Sequence, residues 1–141
     1  MNYFDTSYLI PLVKPEPLSD RVAAFVEEVA DDGLVTSQWT IVECRSALAR
    51  EVRMERLSAS DFRSYCRHID EIMANSFQII LPIEEDFRSV ATMIEAPETG
   101  LRAGDAMHVA IAQRLEAQIL TLDRRMTTVA RRHGIRAGYG F

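Results

Sequence analysis

Short apolar runs alternate with longer amphipathic stretches along most of this chain. In the amphipathic stretches, apolar residues recur every three or four positions, a spacing typical of helices that bury one face. This spacing predicts helices at residues 19–30, 40–54, 58–74, 84–95, 103–116 and 124–133. The apolar runs predict strands at residues 1–4, 34–36, 77–83 and 119–121.

The order of these elements predicts the fold class. Strands that alternate with helices form parallel sheets through right-handed crossovers, with helices packed on both faces. The predicted class is therefore α/β. The strongest strand pattern is at residues 77–83, and Ser60 is the predicted N-cap of the helix at residues 58–74.

The size and composition are those of a globular domain. The 141 residues, 48% of them hydrophobic and 26% charged, exclude a disordered or fibrous protein and predict a single domain over residues 1–141. No apolar run approaches the roughly 20 residues that span a bilayer, and the N-terminus lacks the features of a signal peptide. Cys44 and Cys66 have no C-x-x-C partner, which argues against a zinc site and favours a reducing, cytoplasmic location.

The net charge of −5 is unusual for a protein that binds nucleic acid, because phosphate contacts are made by lysine and arginine. The arginines, however, are grouped along the chain, and the guanidinium group pairs well with phosphate. Each group is equally compatible with a solvated helix face. The groups are Arg45, Arg50, Arg53 and Arg56, and then Arg124, Arg125, Arg131, Arg132 and Arg136.

Four acidic residues lie at element junctions, where predicted strands end or predicted helices begin. Asp5 follows the first strand, and Glu43 lies in the first turns of the helix after the second. Asp105 is near the start of the alanine-rich helix, and Asp123 follows the strand at residues 119–121. Because sites in open parallel sheets form beyond the carboxyl ends of the strands, we expect the four side chains to point toward one edge of the sheet.

Each acid also has a purely local interpretation. Asp5 and Asp123 are suitable N-caps, and Thr40 with Glu43 has the spacing of a capping box. Asp105 is suited to the positive end of a helix dipole. Capping alone does not require acids at every junction, because serine or threonine would cap without the mutual repulsion.

Carboxylates that converge in this way repel one another unless cations neutralise them, so the pattern predicts a metal site. Oxygen-only ligands favour Mg²⁺ or Mn²⁺, which assist in-line attack on phosphate. Thr6 is a candidate for orienting water or phosphate, or for a local cap. His108 is three residues after Asp105 and shares its helix face, but a single histidine is more often a packing or surface residue.

The stretches around these acids resemble PIN domains, particularly the VapC toxins of bacterial toxin–antitoxin pairs. The resemblance rests on four motifs taken in order over essentially the whole chain. They are Tyr3-Phe4-Asp5-Thr6-Ser7, Val42-Glu43, Leu101-Arg102-Ala103-Gly104-Asp105-Ala106-Met107-His108 and Leu120-Thr121-Leu122-Asp123.

This resemblance implies a three-layer α/β/α domain around a parallel sheet of about five strands. It implies that Asp5, Glu43, Asp105 and Asp123 form a catalytic tetrad that binds Mg²⁺ or Mn²⁺. It also implies endoribonuclease activity on structured RNA, often transfer RNA, a homodimer, and a VapB-type antitoxin whose C-terminal segment covers the acidic site.

Two other functions remain open at this point. The first is a phosphatase of the haloacid-dehalogenase type, which opens with Asp-x-Asp-x-Thr. Here Ser7 stands where the second aspartate should be, and the only lysine, Lys14, comes far too early in the chain. The second is a catalytically inactive PIN-like module in which the acids are caps and the protein binds RNA or protein.

Overall fold

A single parallel sheet of five short strands forms the middle layer of the protein. The computed structural model describes all 141 residues. The strands are β1 (Asn2–Phe4), β2 (Leu34–Ser37), β3 (Gln78–Ile80), β4 (Gln118–Leu120) and β5 (Ala137–Gly138). They lie in the order β3-β2-β1-β4-β5, so β1 is central and pairs with both β2 and β4. The α/β prediction is confirmed.

Seven helices cover the sheet. They are α1 (Thr6–Val13), α2 (Ser19–Glu28), α3 (Gln38–Arg53), α4 (Ala59–Ser76), α5 (Glu84–Ile94), α6 (Ala103–Arg114) and α7 (Arg124–Arg132), with two short 3-10 turns at Ala30–Asp32 and Pro97–Thr99. None of these helices is both long enough and apolar enough to cross a membrane.

Adjacent residues of each strand contribute to different hydrophobic cores, because strand side chains alternate between faces. Tyr3 and Ile119 belong to a core of 18 buried residues shared with α5, α6 and α7. Phe4 and Leu120 belong to a core of 12 shared with α1 to α4. The two cores lie on opposite faces of the sheet and give the three-layer arrangement that the resemblance implied.

Two elements were not predicted. Helix α1 is apolar at nearly every position and contains Pro11, so it shows neither an amphipathic period nor the composition of a helix. It forms because Asp5 caps its N-terminus and its apolar side chains are buried on more than one side. Strand β5 has only two residues, too few for a pattern.

Three local predictions were wrong. The strand predicted at residues 77–83 pairs only over Gln78–Ile80, because its partner β2 ends at Ser37, opposite Ile80. Ser60 lies inside α4, and the cap is Ser58, whose hydroxyl accepts from the Asp61 amide at 3.0 Å. The capping box predicted for Thr40 and Glu43 is also wrong, because Ser37 caps α3 and pairs with Thr40.

An ion pair between a buried carboxylate and a partly exposed guanidinium joins α5 to α6. Asp86 is 1% exposed, and its two carboxylate oxygens accept from Nε and Nη2 of Arg114 at 2.8 and 2.9 Å. Asp86 also accepts from the backbone amide of Ile83 at 2.9 Å, at the start of α5. One carboxylate thus accepts hydrogen bonds both from a backbone amide at the start of α5 and from an arginine on α6.

Apolar side chains are exposed along one edge of the sheet. Leu81 and Ile83 follow the edge strand β3, and Phe87 and Ile94 lie seven residues apart on α5. Their exposed fractions run from 43% to 65%. We call these four residues the α5 patch.

Candidate active site

Asp5 directly follows the central strand, and its buried carboxylate is held by three donors. Its Oδ1 accepts from the Ser7 hydroxyl at 2.6 Å and from the Tyr8 amide at 3.3 Å, and its Oδ2 accepts from the Thr121 hydroxyl at 2.7 Å. The residue is 2% exposed. Burial raises the pKa of Asp5, although the hydrogen bonds from Ser7 and Thr121 act in the opposite direction.

Asp123 and Asp105 lie at the starts of two helices on the same side of the sheet. Asp123 caps α7 by accepting from the amides of Arg125 and Met126 at 2.6 and 3.2 Å. Asp105 lies in the first turn of α6, and its pKa is raised first by burial and further by the negative charges of Asp123 and Glu43. Asp5 and Asp123 therefore cap helices, and both also lie close to the other predicted acids.

Glu43 does not take part in a capping box. The N-cap of α3 is Ser37, which pairs with Thr40, so the box predicted for Thr40 and Glu43 is wrong. The Glu43 side chain instead turns toward α1 and α6, where its Oε2 accepts from the Thr6 hydroxyl at 2.7 Å and lies 2.6 Å from Nε2 of His108.

The pKa of Glu43 reflects these contacts. Burial acts to raise it, but the hydrogen bonds from His108 and Thr6 outweigh burial, and the pKa is lowered. The buried indole N–H of Trp39 makes no hydrogen bond, yet it is close enough to contribute to the lowering. The carboxylate therefore keeps its negative charge in a mostly buried place.

Gly104 leaves the space that the Glu43 carboxylate occupies. A Cβ atom added at Gly104 would overlap Oε1 of Glu43 and come within 3.7 Å of the Trp39 ring. Any side chain at residue 104 would therefore push the carboxylate out of its position between Thr6 and His108.

The four acids line one open cleft of about 640 Å³ at the carboxyl ends of the strands. Thr6 and His108 line it as well, and three arginines do so from opposite sides: Arg50 and Arg53 on α3, and Arg102 just before α6. None of the three makes a side-chain hydrogen bond or an ion pair within the protein. The cleft thus combines buried negative charge with unpaired positive charge.

The comparison with known families decides which kind of protein carries this cleft. The model of the PIN domain matches residues 3–132, which is most of the chain. The chain belongs to the PIN domain family. No curated protein sequence matches it significantly.

Solved structures share the fold of this PIN domain. FitAcB from Neisseria gonorrhoeae is 19% identical with a TM-score of 0.71, covering 99% of this chain and 98% of that one. VapBC2 from Rickettsia felis, bound to a promoter DNA fragment, is 12% identical with a TM-score of 0.73, covering 98% of both. VapC20 from Mycobacterium tuberculosis, a sarcin–ricin loop cleaving toxin, is 12% identical with a TM-score of 0.72, covering 91% and 94%.

The donor chemistry of this PIN domain suits a hard cation. The structure contains no group of three or more acidic, histidine or cysteine side chains arranged to hold a metal ion. The four predicted acids line the cleft together with Glu16, which is paired with Lys14, and oxygen ligands of this kind favour Mg²⁺ or Mn²⁺. Burial is the main cause of the raised pKa of Asp105, and repulsion from the negative charges of Asp123 and Glu43 raises it further. A bound divalent cation would relieve that repulsion.

The structure gives His108 a closer connection to the site than the packing or surface role that its sequence position favours. His108 is 1% exposed, and it touches the site directly through Glu43. The one available signal was its position three residues after Asp105, which places both side chains on the same face of α6.

Proposed function

We propose that this PIN domain, taken as a single domain over residues 1–141, is a metal-dependent endoribonuclease that acts on structured RNA. The observation that carries the proposal is the convergence on one cleft of four carboxylates, three from strand–helix junctions and Asp105 from the start of α6. PIN domains are nucleases, and this cleft contains the acids that such chemistry needs.

In this proposal, Asp5, Glu43, Asp105 and Asp123 hold one or two Mg²⁺ or Mn²⁺ ions. A divalent cation at such a site makes water a better nucleophile and neutralises charge on the phosphate. Asp5 and Asp105 are the main ligands, and the other two acids complete the set or orient the attacking water. Thr6 fixes Glu43 through its 2.7 Å hydrogen bond and borders the space where a phosphate would lie.

The three unpaired arginines provide the contacts that a polyanionic substrate requires. Arg50 and Arg53 lie on one side of the acids and Arg102 on another. Arg45 and Arg56, on or just beyond the same helix α3, are instead paired with Asp70 and Glu51. Positive charge is therefore free where it faces the cleft, which reconciles a net charge of −5 with RNA binding.

Replacing Arg50 and Arg53 together by alanine is expected to weaken RNA binding and to reduce its salt dependence. Each phosphate contact that is lost lowers the slope of log K against log salt by about 1. The measurement is fluorescence anisotropy with a labelled RNA at several salt concentrations in EDTA, which prevents metal-dependent cleavage. The matched control is Arg45→Ala, because Arg45 is on the same helix but is paired with Asp70. Equal slopes for the double variant and the control would contradict the assignment.

The proposed activity is tested by incubating purified protein with total transfer RNA, and separately with ribosomal RNA, in Mn²⁺, Mg²⁺ or EDTA. Discrete fragments that require metal support the ribonuclease. The transfer-RNA arm is the expected one, and the ribosomal arm is included because VapC20, which shares the fold, is a sarcin–ricin loop cleaving toxin. Absence of cleavage by folded, partner-free protein in either metal would favour the inactive binding module instead.

We further propose that the protein is the toxin of a VapBC-type pair. Proteins with the same fold were solved as toxin–antitoxin assemblies, including FitAB on a DNA fragment and VapBC-1 from Haemophilus influenzae. The partner would be a VapB-type antitoxin whose C-terminal segment covers the acidic cleft. Expression of this chain alone should arrest bacterial growth, and co-expression of its antitoxin should restore it.

The α5 patch is the surface we propose for the homodimer. An exposed apolar face buried against a second copy of itself gives the self-complementary contact of a two-fold dimer. Phe87→Glu is expected to convert a dimer into a monomer in analytical ultracentrifugation, because Phe87 is the largest side chain of the patch and is 57% exposed. The control is Val42→Glu, at an apolar residue that is 51% exposed on α3. A dimer that survives Phe87→Glu would exclude this surface.

A further inference from the structure

A chain of buried polar side chains runs from the sheet to Glu43. The hydroxyl of Ser37, at the end of β2, lies 2.8 Å from the hydroxyl of Tyr3. That hydroxyl is 2.8 Å from Nδ1 of His108, whose Nε2 is 2.6 Å from Oε2 of Glu43. Ser37, Tyr3 and His108 are at most 1% exposed, so the contacts among these three residues are shielded from solvent.

The directions of the bonds at Glu43 follow from chemistry. An ionised carboxylate only accepts hydrogen bonds, so both groups within bonding distance of Oε2 must donate to it. These groups are Nε2 of His108 and the hydroxyl of Thr6. The other ring nitrogen of His108 is occupied by Tyr3, so the imidazole ring is fixed at both ends.

We propose that His108 is a positioning residue, which holds the Glu43 carboxylate in the orientation that the metal site needs. The inference rests on the proposed metal-dependent function. It assigns to Tyr3 and Ser37 the part of holding the imidazole ring, and to His108 that of holding Glu43.

Two features show that the arrangement is more than the filling of a core. Helix α6 buries almost only apolar residues, and His108 is the one polar side chain among its seven buried positions. Helix α6 also provides Gly104, whose missing side chain makes room for the same Glu43 carboxylate, and Asp105, a member of the acidic cluster. Within two turns, helix α6 thus provides Asp105 as a candidate metal ligand, the space left by Gly104, and His108 as a hydrogen-bond donor to Glu43.

The test compares Mn²⁺ affinity, measured by calorimetry and by electron paramagnetic resonance, with the thermal unfolding midpoint. His108→Leu removes the donor, and we expect it to weaken Mn²⁺ binding about tenfold, the range found when residues behind a metal ligand are changed. His108→Gln keeps an N–H donor and should bind within about threefold of the wild type. His68→Leu, at an exposed histidine on α4, is the matched control and should bind like the wild type.

The outcomes separate this inference from the proposed function. Wild-type protein that binds Mn²⁺ and cleaves RNA, together with a His108→Leu variant of unchanged affinity, would overturn the positioning role alone. Equal losses of Mn²⁺ affinity in His108→Leu and His108→Gln would also overturn it. A residue that only fills the core would give the same loss whether or not the replacement keeps an N–H donor. Wild-type protein that binds no Mn²⁺ would overturn both proposals.

If His108→Leu does not fold, Tyr3→Phe decides the question. It keeps the ring of Tyr3 and removes only the hydroxyl that fixes Nδ1 of His108. We expect Mn²⁺ affinity to fall about threefold, less than for direct loss of the donor. Unchanged affinity in a folded Tyr3→Phe protein would exclude the chain from Ser37 to Glu43 as a positioning device.

Discussion

Replacing Asp5 by asparagine is expected to lower metal-dependent RNA cleavage by at least about 100-fold, the usual cost of removing one group that stabilises transition-state charge. Asp5 is the acid nearest the centre of the sheet, directly after β1, and the most deeply buried of the four. Its negative charge is therefore the least screened by water, and its loss removes the strongest attraction for a cation in the cleft.

The fold should survive this substitution. Asparagine has the shape of aspartate, its carbonyl oxygen still accepts from Ser7 or the Tyr8 amide, and the Thr121 hydroxyl can rotate to accept from the new amide. Single-turnover cleavage rates in Mn²⁺ give the effect, and thermal unfolding gives the state of the fold. Asp20→Asn, at an exposed aspartate of α2, is the control. Cleavage by a folded Asp5→Asn protein within a few-fold of the wild type would remove Asp5 from the site.

Replacing Asp86 by alanine is expected to cost about 3 kcal/mol of unfolding free energy, because it removes a buried carboxylate that accepts hydrogen bonds from a charged group and from a helix N-terminus. The variant loses two hydrogen bonds from Arg114 and one from the Ile83 amide, and Arg114 is left without its carboxylate. For a domain of this size, the melting temperature should fall by about 10 °C. Chemical denaturation and differential scanning calorimetry measure the two quantities.

The control is Asp70→Ala, which breaks the ion pair of Asp70 with Arg45. The two side chains of that pair are 57% and 47% exposed, so water screens the attraction and the cost should be below about 1 kcal/mol. Similar losses in the two variants would mean that burial does not govern these pairs. Cleavage activity should be retained in Asp70→Ala, since neither Asp70 nor Arg45 lines the cleft.

The positions of Asp5, Glu43 and Asp123 could be predicted because they depend on rules that act along the sequence. Parallel strands end at one edge of a sheet, so an acid placed just after a strand, or early in the next helix, is directed to that edge. Asp5 and Asp123 needed no more than this. The α/β class followed in the same way from the alternation of apolar runs with amphipathic stretches.

The contacts between the acids and the rest of the site could not be predicted, because they join residues far apart in sequence. Glu43 had the spacing of a local cap, but the Thr6 and His108 side chains, 37 and 65 residues away, compete successfully for its carboxylate. His108 had no local signal that separated a hydrogen-bonded residue from a packed one. Helix α1 was missed for the converse reason, since burial on several sides removes the amphipathic period on which prediction relies.

The central place of β1 has a consequence during synthesis of the protein. The first strand leaves the ribosome early, but one of its two partners, β4, lies more than a hundred residues later, at Gln118–Leu120. The Asp5 carboxylate lacks one of its hydrogen-bond donors until Thr121 has been synthesised, and the cleft also needs Asp123. In a nascent chain, the acidic residues are therefore separate side chains that do not yet form the cleft through most of translation. The cleft, and any cleavage it performs, forms only once nearly the whole domain has been made.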